Sequence, residues 1–259
     1  MSAPPAPPDA SIATPSAPRT ARERVREEMT AEILAVAGAH VARDGAPALS
    51  LRSIARDLGM APSALYRYFD GRDALLTALI LTAYEALATE AERAADKAET
   101  AADPKAGSAG DAERWLAVPR TLRGWALEHP HQWGLIFGTP VPGYEAPEDT
   151  VEPYARVAAA LVRPLVAAEE AGRLRLGPDE RDDRKVSDVL ATAVAPVSEG
   201  LLPGMPAVKV VLVVEAWTTL IGAISLEVFG HWRKTVLEPE LLFEDSMRRL
   251  GESLGLGSG

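Results

Sequence analysis

Apolar residues recur at intervals of three and four along most of the chain, and no segment alternates strictly enough to read as a strand. The first helical pattern runs from about Thr20 to Ala42, with Val25, Met29, Ile33, Val36 and His40 on one stripe. Leu34, Ala37 and Val41 widen that stripe, and His40 reads as a packed core residue. "RDGAPALS" stops the helix through Gly45 and Pro47. Ser50 is placed to cap a second helix, Leu51 to Leu58, whose inward face is Leu51, Ile54, Ala55 and Leu58; Gly59 ends it. Pro62 suits the first turn of a third helix with Leu65 and Phe69 beneath it. Asp70 is placed to cap a fourth, which carries Leu75, Leu76, Leu79, Ile80, Ala83 and Leu87 to about Ala95.

Further helices are expected at Ala112–Glu128, His131–Phe137, Thr150–Gly172, Glu180–Leu202, Ala207–Trp232 and Pro239–Leu254, with breaks or kinks at Pro119, Pro164 and Pro196. No repeat of solenoid length is present. The expected fold is therefore all-α. Residues 1–19, rich in proline and alanine, read as a disordered tail; 20–82 form a small N-terminal helical domain, and 83–255 a larger C-terminal one.

Composition narrows the classes. The apolar run from Val210 to Phe229 is long enough for a membrane span, but Glu215, Thr218, Thr219 and Glu227 within it favour a buried helix. The N-terminus lacks the basic start and apolar stretch of a secretory signal, and the absence of cysteine fits a reducing compartment, so the expected location is the cytoplasm. Net charge is −10, yet Arg19 to Arg72 holds nine arginines against seven acids. A polyanion would be met by that end and repelled by the acidic remainder.

Two short helices joined by a glycine turn form a helix-turn-helix, in which the second helix enters the DNA major groove. A helix as short as the third gains stability from Ile54, Leu58, Met60, Leu65 and Phe69 beneath it rather than from propensity. Pro62, Ser63, Tyr66 and Arg67 are left facing outward, Tyr68 near the end, with Arg52 and Arg72 as flanks. Hydroxyls and guanidinium groups are what bind phosphates and base edges, and Arg72 would add the positive end of the fourth helix. A small bundle with a solvated arginine face is the other reading of the same charges.

The segment "LSLRSIARDLGMAPSALYRYFDGRDALL", Leu49 to Leu76, resembles the DNA-binding segment of the TetR/AcrR family of transcriptional regulators. That family shows an apolar-x-x-Ile-Ala helix, "LGV", "LYxHF" and a "K-x-x-L" start to helix four. The resemblance implies DNA contacts at Arg52, Ser63, Ala64, Tyr66, Arg67, Tyr68 and Arg72. Tyr68 stands where histidine is usual, Arg72 where lysine is usual, and Ala61 and Ala64 where hydroxyl residues often sit. It also implies a C-terminal domain that encloses a small-molecule effector and forms a homodimer, and hence a palindromic operator. "AWTTLIGAISLEVFGHW", Ala216 to Trp232, is similar to a C-terminal subclass with a Trp-x-x-x-His-Gly pattern, with Ile221 in place of the histidine.

Aromatic residues and histidines suggest where an effector would sit: Trp115, Trp125, His129, His131, Trp133, Phe137 and Trp217, with Tyr144 nearby. Core filling is the alternative for the tryptophans. His129 and His131 form a His-x-His pair without a third ligand close by, so neither a metal nor a cofactor is expected. Nucleophile elbows, phosphate loops and His-Glu-x-x-His motifs are absent, and the acid pairs Glu169–Glu170 and Asp182–Asp183 sit at expected helix ends. The expected function is a sequence-specific DNA-binding regulator, a repressor released by a small hydrophobic effector. The alternatives are a helical small-molecule enzyme and a protein-binding adaptor.

Overall fold

The computed structural model describes residues 20–101, 107–174 and 186–257, and every regular element among them is helical. The elements are α1 (Ala21–Asp44), α2 (Leu51–Asp57), α3 (Pro62–Leu65), α4 (Arg72–Thr100), α5 (Gly107–Glu128), α6 (Pro130–Phe137), α7 (Val151–Glu170), α8 (Asp188–Ala193), α9 (Ala195–Leu201), α10 (Ala207–Val228) and α11 (Pro239–Ser253). The expected tail, 1–19, lies outside the described residues, as do Asp182, Asp183 and the first part of the expected helix Glu180–Leu202.

Helix starts follow local chemistry in some places and depart from it in others. Thr20 and Glu23 form a reciprocal capping box at α1, with the Thr20 amide donating to Glu23 Oε2 at 2.7 Å. Ser50 has the extended backbone of a cap, but its hydroxyl accepts nothing from α2. Gly71, not Asp70, occupies the cap position of α4. Both α5 and α7 continue through Pro119 and Pro164 without a break. As expected from Pro196, the helix ending at Leu202 is broken, at Val194, into α8 and α9.

Two cores share α4. Its first half contributes Leu75, Leu76, Leu79 and Ile80 to a cluster with Ile33, Ala37, Ile54 and Leu65, whereas Leu87, Ala88, Ala91 and Ala95 enter the larger C-terminal core. The second half of α4 packs along α7 and α5. Arginines of α7 pin the α4–α7 seam: Arg156 to Glu92 (2.8 Å) and Glu85 (2.7 Å), Arg163 to Asp96 (2.7 Å) and Glu99 (2.6 Å). Helix α10 buries Val210, Val211, Leu212, Val213, Ala216, Leu220 and Ile224, so its apolar length serves the core. Helix α6 touches both cores, with Trp133 in one and Leu135 and Ile136 against the other.

Candidate nucleic-acid interface

The turn after α2 explains how a one-turn helix is aimed. Gly59 sits at φ +66°, the left-handed region that glycine enters without a side-chain clash. The Met60 amide then donates to the Ala55 carbonyl (2.8 Å) and the Gly59 amide to Arg56 (3.1 Å). This crossed pair is a Schellman ending, which satisfies the last carbonyls of α2 while reversing the chain. Pro62 opens α3, and the chain stays wound beyond it: Arg67 N–H to the Ala64 carbonyl (3.2 Å), Tyr68 N–H to Leu65 (2.9 Å). Leu65 is fully buried and Phe69 nearly so, against Ile54 and Leu51. The stub is held from below.

Ser63, Tyr66 and Arg67 on the stub and Arg52 on the adjoining α2 are exposed, with Tyr66 at 51%. Ala64 is half-buried. The last two expected contacts have partners within the protein. Tyr68 is half-buried with the Arg26 guanidinium of α1 over its ring, 5.5 Å from the centroid, and Arg26 Nη2 also donates to the Arg67 carbonyl at 3.3 Å. Arg72 is half-buried; its Nη2 donates to the carbonyls of Ala46 (3.2 Å) and Pro47 (3.3 Å), and its Nη1 meets Asp73 at 3.2 Å. Arg72 therefore braces the short turn Ala46–Ala48 against the start of α4, a role the expected phosphate contact did not include. His40 is buried as expected, but its Nε2 lies 2.7 Å from Asp57 Oδ2, tying α1 to the end of α2. This hydrogen bond holds the Asp57 carboxyl below the ordinary aspartate range.

The seven residues expected around an effector do not share one cavity. Trp115 is buried in the α5–α11 seam, its indole donating to the Met247 carbonyl (2.8 Å) where Gly251 admits the ring. Trp125 and His129, rings 5.0 Å apart, border a groove between α4 and α5 beside Glu85, Glu90 and Glu128. His131 lines clefts between α1 and α6. Trp133 is fully buried and donates to Ser225 Oγ (3.1 Å). Its ring lies 4.4 Å from that of Phe137, which in turn contacts Trp217. The corner at His129, between α5 and α6, separates aromatics that lie close in sequence.

Residues 33–79 match the family profile described as "Bacterial regulatory proteins, tetR family", and residues 115–250 match "Tetracyclin repressor-like, C-terminal domain". The HTH-type transcriptional regulator Rv1816 of Mycobacterium tuberculosis is 38% identical over 231 residues, covering 88% of this chain and 93% of that protein. The crystal structure of SCO4313 superposes with a TM-score of 0.70 at 35% identity, covering 89% of this chain and 98% of that one. A bacterial regulatory protein of the tetR family from Rhodococcus RHA1 shares the fold at 15% identity, with a TM-score of 0.55 over 88% of this chain and 98% of that one.

The chain belongs to the TetR family. It is a DNA-binding transcriptional regulator rather than an enzyme, built as an N-terminal helix-turn-helix domain and a C-terminal helical domain. TetR regulators usually form dimers.

Arg26 is the residue of this TetR domain that sequence reasoning passed over. It lies 41 positions from the carbonyl it binds, and nothing in the spacing of α1 separates it from the other arginines there. Tyr68, in the place where the family resemblance leads one to expect histidine, supplies the ring face that Arg26 covers. Tyr154 was likewise unmarked. It stands between Tyr84 and Trp217, with ring centroids 6.1 and 5.5 Å away. Burial pushes the Tyr84 phenol up to about 12, so it is a neutral donor at physiological pH, directed to the Ile136 carbonyl.

Proposed function

We propose that the protein is a homodimeric repressor that presents two copies of the α3 stub to successive major grooves of a palindromic operator and leaves it when a small molecule binds among the C-terminal helices. The observation that carries this reading is the exposure of Ser63, Tyr66, Arg67 and Arg52 on a helix pair whose opposite side is buried on Ile54 and Leu65. Arg52 and Ser63 are the base readers, because both lie near the starts of their helices, and Arg67 meets phosphate. With Ala64 in place of a hydroxyl residue, base choice leans on Ser63, Tyr66 and Arg52. The working compartment is the one that holds DNA, the bacterial cytoplasm.

The subunit contact is assigned to α8–α10. Val189, Leu190 and Leu226 are large apolar side chains exposed there, and Thr218, Thr219 and Gly222 offer a flat stripe along α10. A twofold axis through that stripe sets the two stubs at a fixed spacing of about 34 to 36 Å, or a multiple of it. Effector binding favours a form with another spacing, and linkage requires that operator binding weaken effector binding by the same factor.

Selection of bound sites from random duplex DNA by the full chain tests this. A consensus of two inverted half-sites is expected. A consensus without twofold symmetry, or none, overturns it.

A further inference from the structure

A cavity of about 520 Å³ between α7, α9 and α10 differs in chemistry from the α4–α5 groove and the α1–α6 cleft. Tyr154, Leu161, Val197, Leu201, Val213 and Trp217 are among its lining residues, and no acidic or basic side chain is. The groove between α4 and α5, by contrast, carries Glu85, Glu90, Glu128 and His129, and the cleft between α1 and α6 carries Glu128, His129 and His131. A charged ligand entering the α7–α10 cavity would lose its hydration without meeting a counter-charge, which is strongly unfavourable. Its volume lies in the range of about 300–1,000 Å³ typical of small-molecule sites. The polar groups it offers are the Tyr154 phenol and the Trp217 indole. Tyr154 and Trp217 meet edge-on with ring centroids 5.5 Å apart, and the phenol, protonated at neutral pH as an ordinary tyrosine is, offers its O–H to a ligand.

A second subunit does not account for this hollow. Val213, Val214 and Trp217 face the cavity, whereas Thr219, Gly222 and Leu226 follow the helical repeat on the opposite side of α10, and Thr218, one turn on from Val214, lies at the border. A partner seated on the outer stripe leaves the inner face open. The cavity also connects to the DNA-binding end. Tyr84 of α4, Phe137 of α6, Tyr154 of α7 and Trp217 of α10 close a ring of edge-on contacts with centroids 5.5–6.5 Å apart. Helix α4 runs from that ring into the N-terminal core, and Tyr84, Leu135 and Ile136 pack against that core.

We propose that this cavity is the effector site and that it takes an uncharged, largely apolar molecule with one hydrogen-bond acceptor for the Tyr154 hydroxyl, such as an alcohol, ketone or ester. The proposal rests on the reading of the chain as an effector-responsive repressor. A ligand here displaces Tyr154 or Trp217, and the ring hands that displacement to α4 and α6.

The test uses the full chain with the neutral fluorescent probe N-phenyl-1-naphthylamine, displaced at pH 7 by 1-dodecanol within its solubility, or by dodecanoate or dodecylammonium below their micellar concentrations. Dodecanol should displace the probe at least tenfold more effectively than either ion. Ala158→Trp, which fills the cavity, should abolish probe binding while thermal stability and the oligomeric state persist. Tyr154→Phe keeps the packing and removes only the hydroxyl. It should weaken dodecanol several-fold and leave naphthalene unchanged, so the site stays testable even if Ala158→Trp fails to fold. Equal or better displacement by an ion overturns the ligand class. Unaltered probe binding in folded Ala158→Trp overturns the location, as does dissociation of that variant into monomers, which would make the hollow a subunit contact. If dodecanol binds as described but leaves operator affinity unchanged, the ligand site stands and the effector-release reading falls.

Discussion

The Arg26 guanidinium lies over the Tyr68 ring, 5.5 Å from its centre, and reaches past it to the carbonyl of Arg67. One side chain of α1 thereby holds the C-terminal end of the stub by ring face and backbone together. The contact couples a helix outside the helix-turn-helix pair to the placement of Tyr66 and Arg67.

Arg26→Ala should therefore weaken operator binding more than it weakens folding. A cation–π contact of this exposed kind contributes about 0.5–1 kcal/mol, and a dimer has two, so operator affinity should fall about five- to thirtyfold. Arg26→Lys should recover part of the loss. Anisotropy titration alongside thermal melting checks this; a variant with unchanged affinity would make the contact incidental.

Two glycines of the DNA-binding domain should respond to alanine with opposite signs. Gly59 has a left-handed backbone and open space where a Cβ would stand, so Gly59→Ala costs only the conformational penalty, about 1–2 kcal/mol. Gly38 lies inside α1 with similarly open space and no unusual φ, so Gly38→Ala should stabilise by roughly 0.5–1 kcal/mol. Urea unfolding of both variants measures the difference, and the same sign at both positions would contradict the turn geometry described.

Acid should destabilise the fold through specific carboxylates. Asp57, Glu92 and Glu244 are held below their ordinary range, by hydrogen bonds from His40, Arg156 and Arg120 respectively. Groups with depressed folded values bind fewer protons in the native state. Their contribution is complete above the ordinary carboxyl range, about pH 3.9–4.3, and is lost as pH falls from there through the folded values. The urea midpoint should be flat from pH 7 to about pH 5 and decline below it, less steeply in high salt because the pairs are partly exposed. A midpoint that holds or rises towards pH 3 would refute this.

The architecture of the DNA-binding domain was legible because periodicity and turn chemistry agree there. Gly59 and Pro62 punctuate the chain, and Ile54, Leu65 and Phe69 recur at the spacing that a short propped helix needs. What the sequence left open are contacts between long side chains and distant backbone: Arg26 with Arg67, and Arg72 with Ala46, 26 positions apart. Helical spacing assigns a residue to a face but not to a neighbour. The same limit explains the tryptophans. Trp115 and Trp133 were identifiable as buried candidates, yet only packing of α5 on α11 and of α6 on α10 sends each indole N–H to its own partner. Tyr154 carried no sequence signal, since its importance arises where four helices converge.

The central claim is that the α3 stub reads DNA, and a salt titration of operator affinity tests it most directly. For the full chain on a duplex recovered by site selection, log affinity should fall linearly with log salt, by about 0.9 per phosphate contacted. Arg67→Ala should reduce that slope by about 1 per subunit, and Tyr66→Ala should weaken binding by about 1–3 kcal/mol in a protein that melts like the original. A folded Tyr66→Ala, Arg67→Ala double variant that binds the operator with the original affinity and slope would contradict the account.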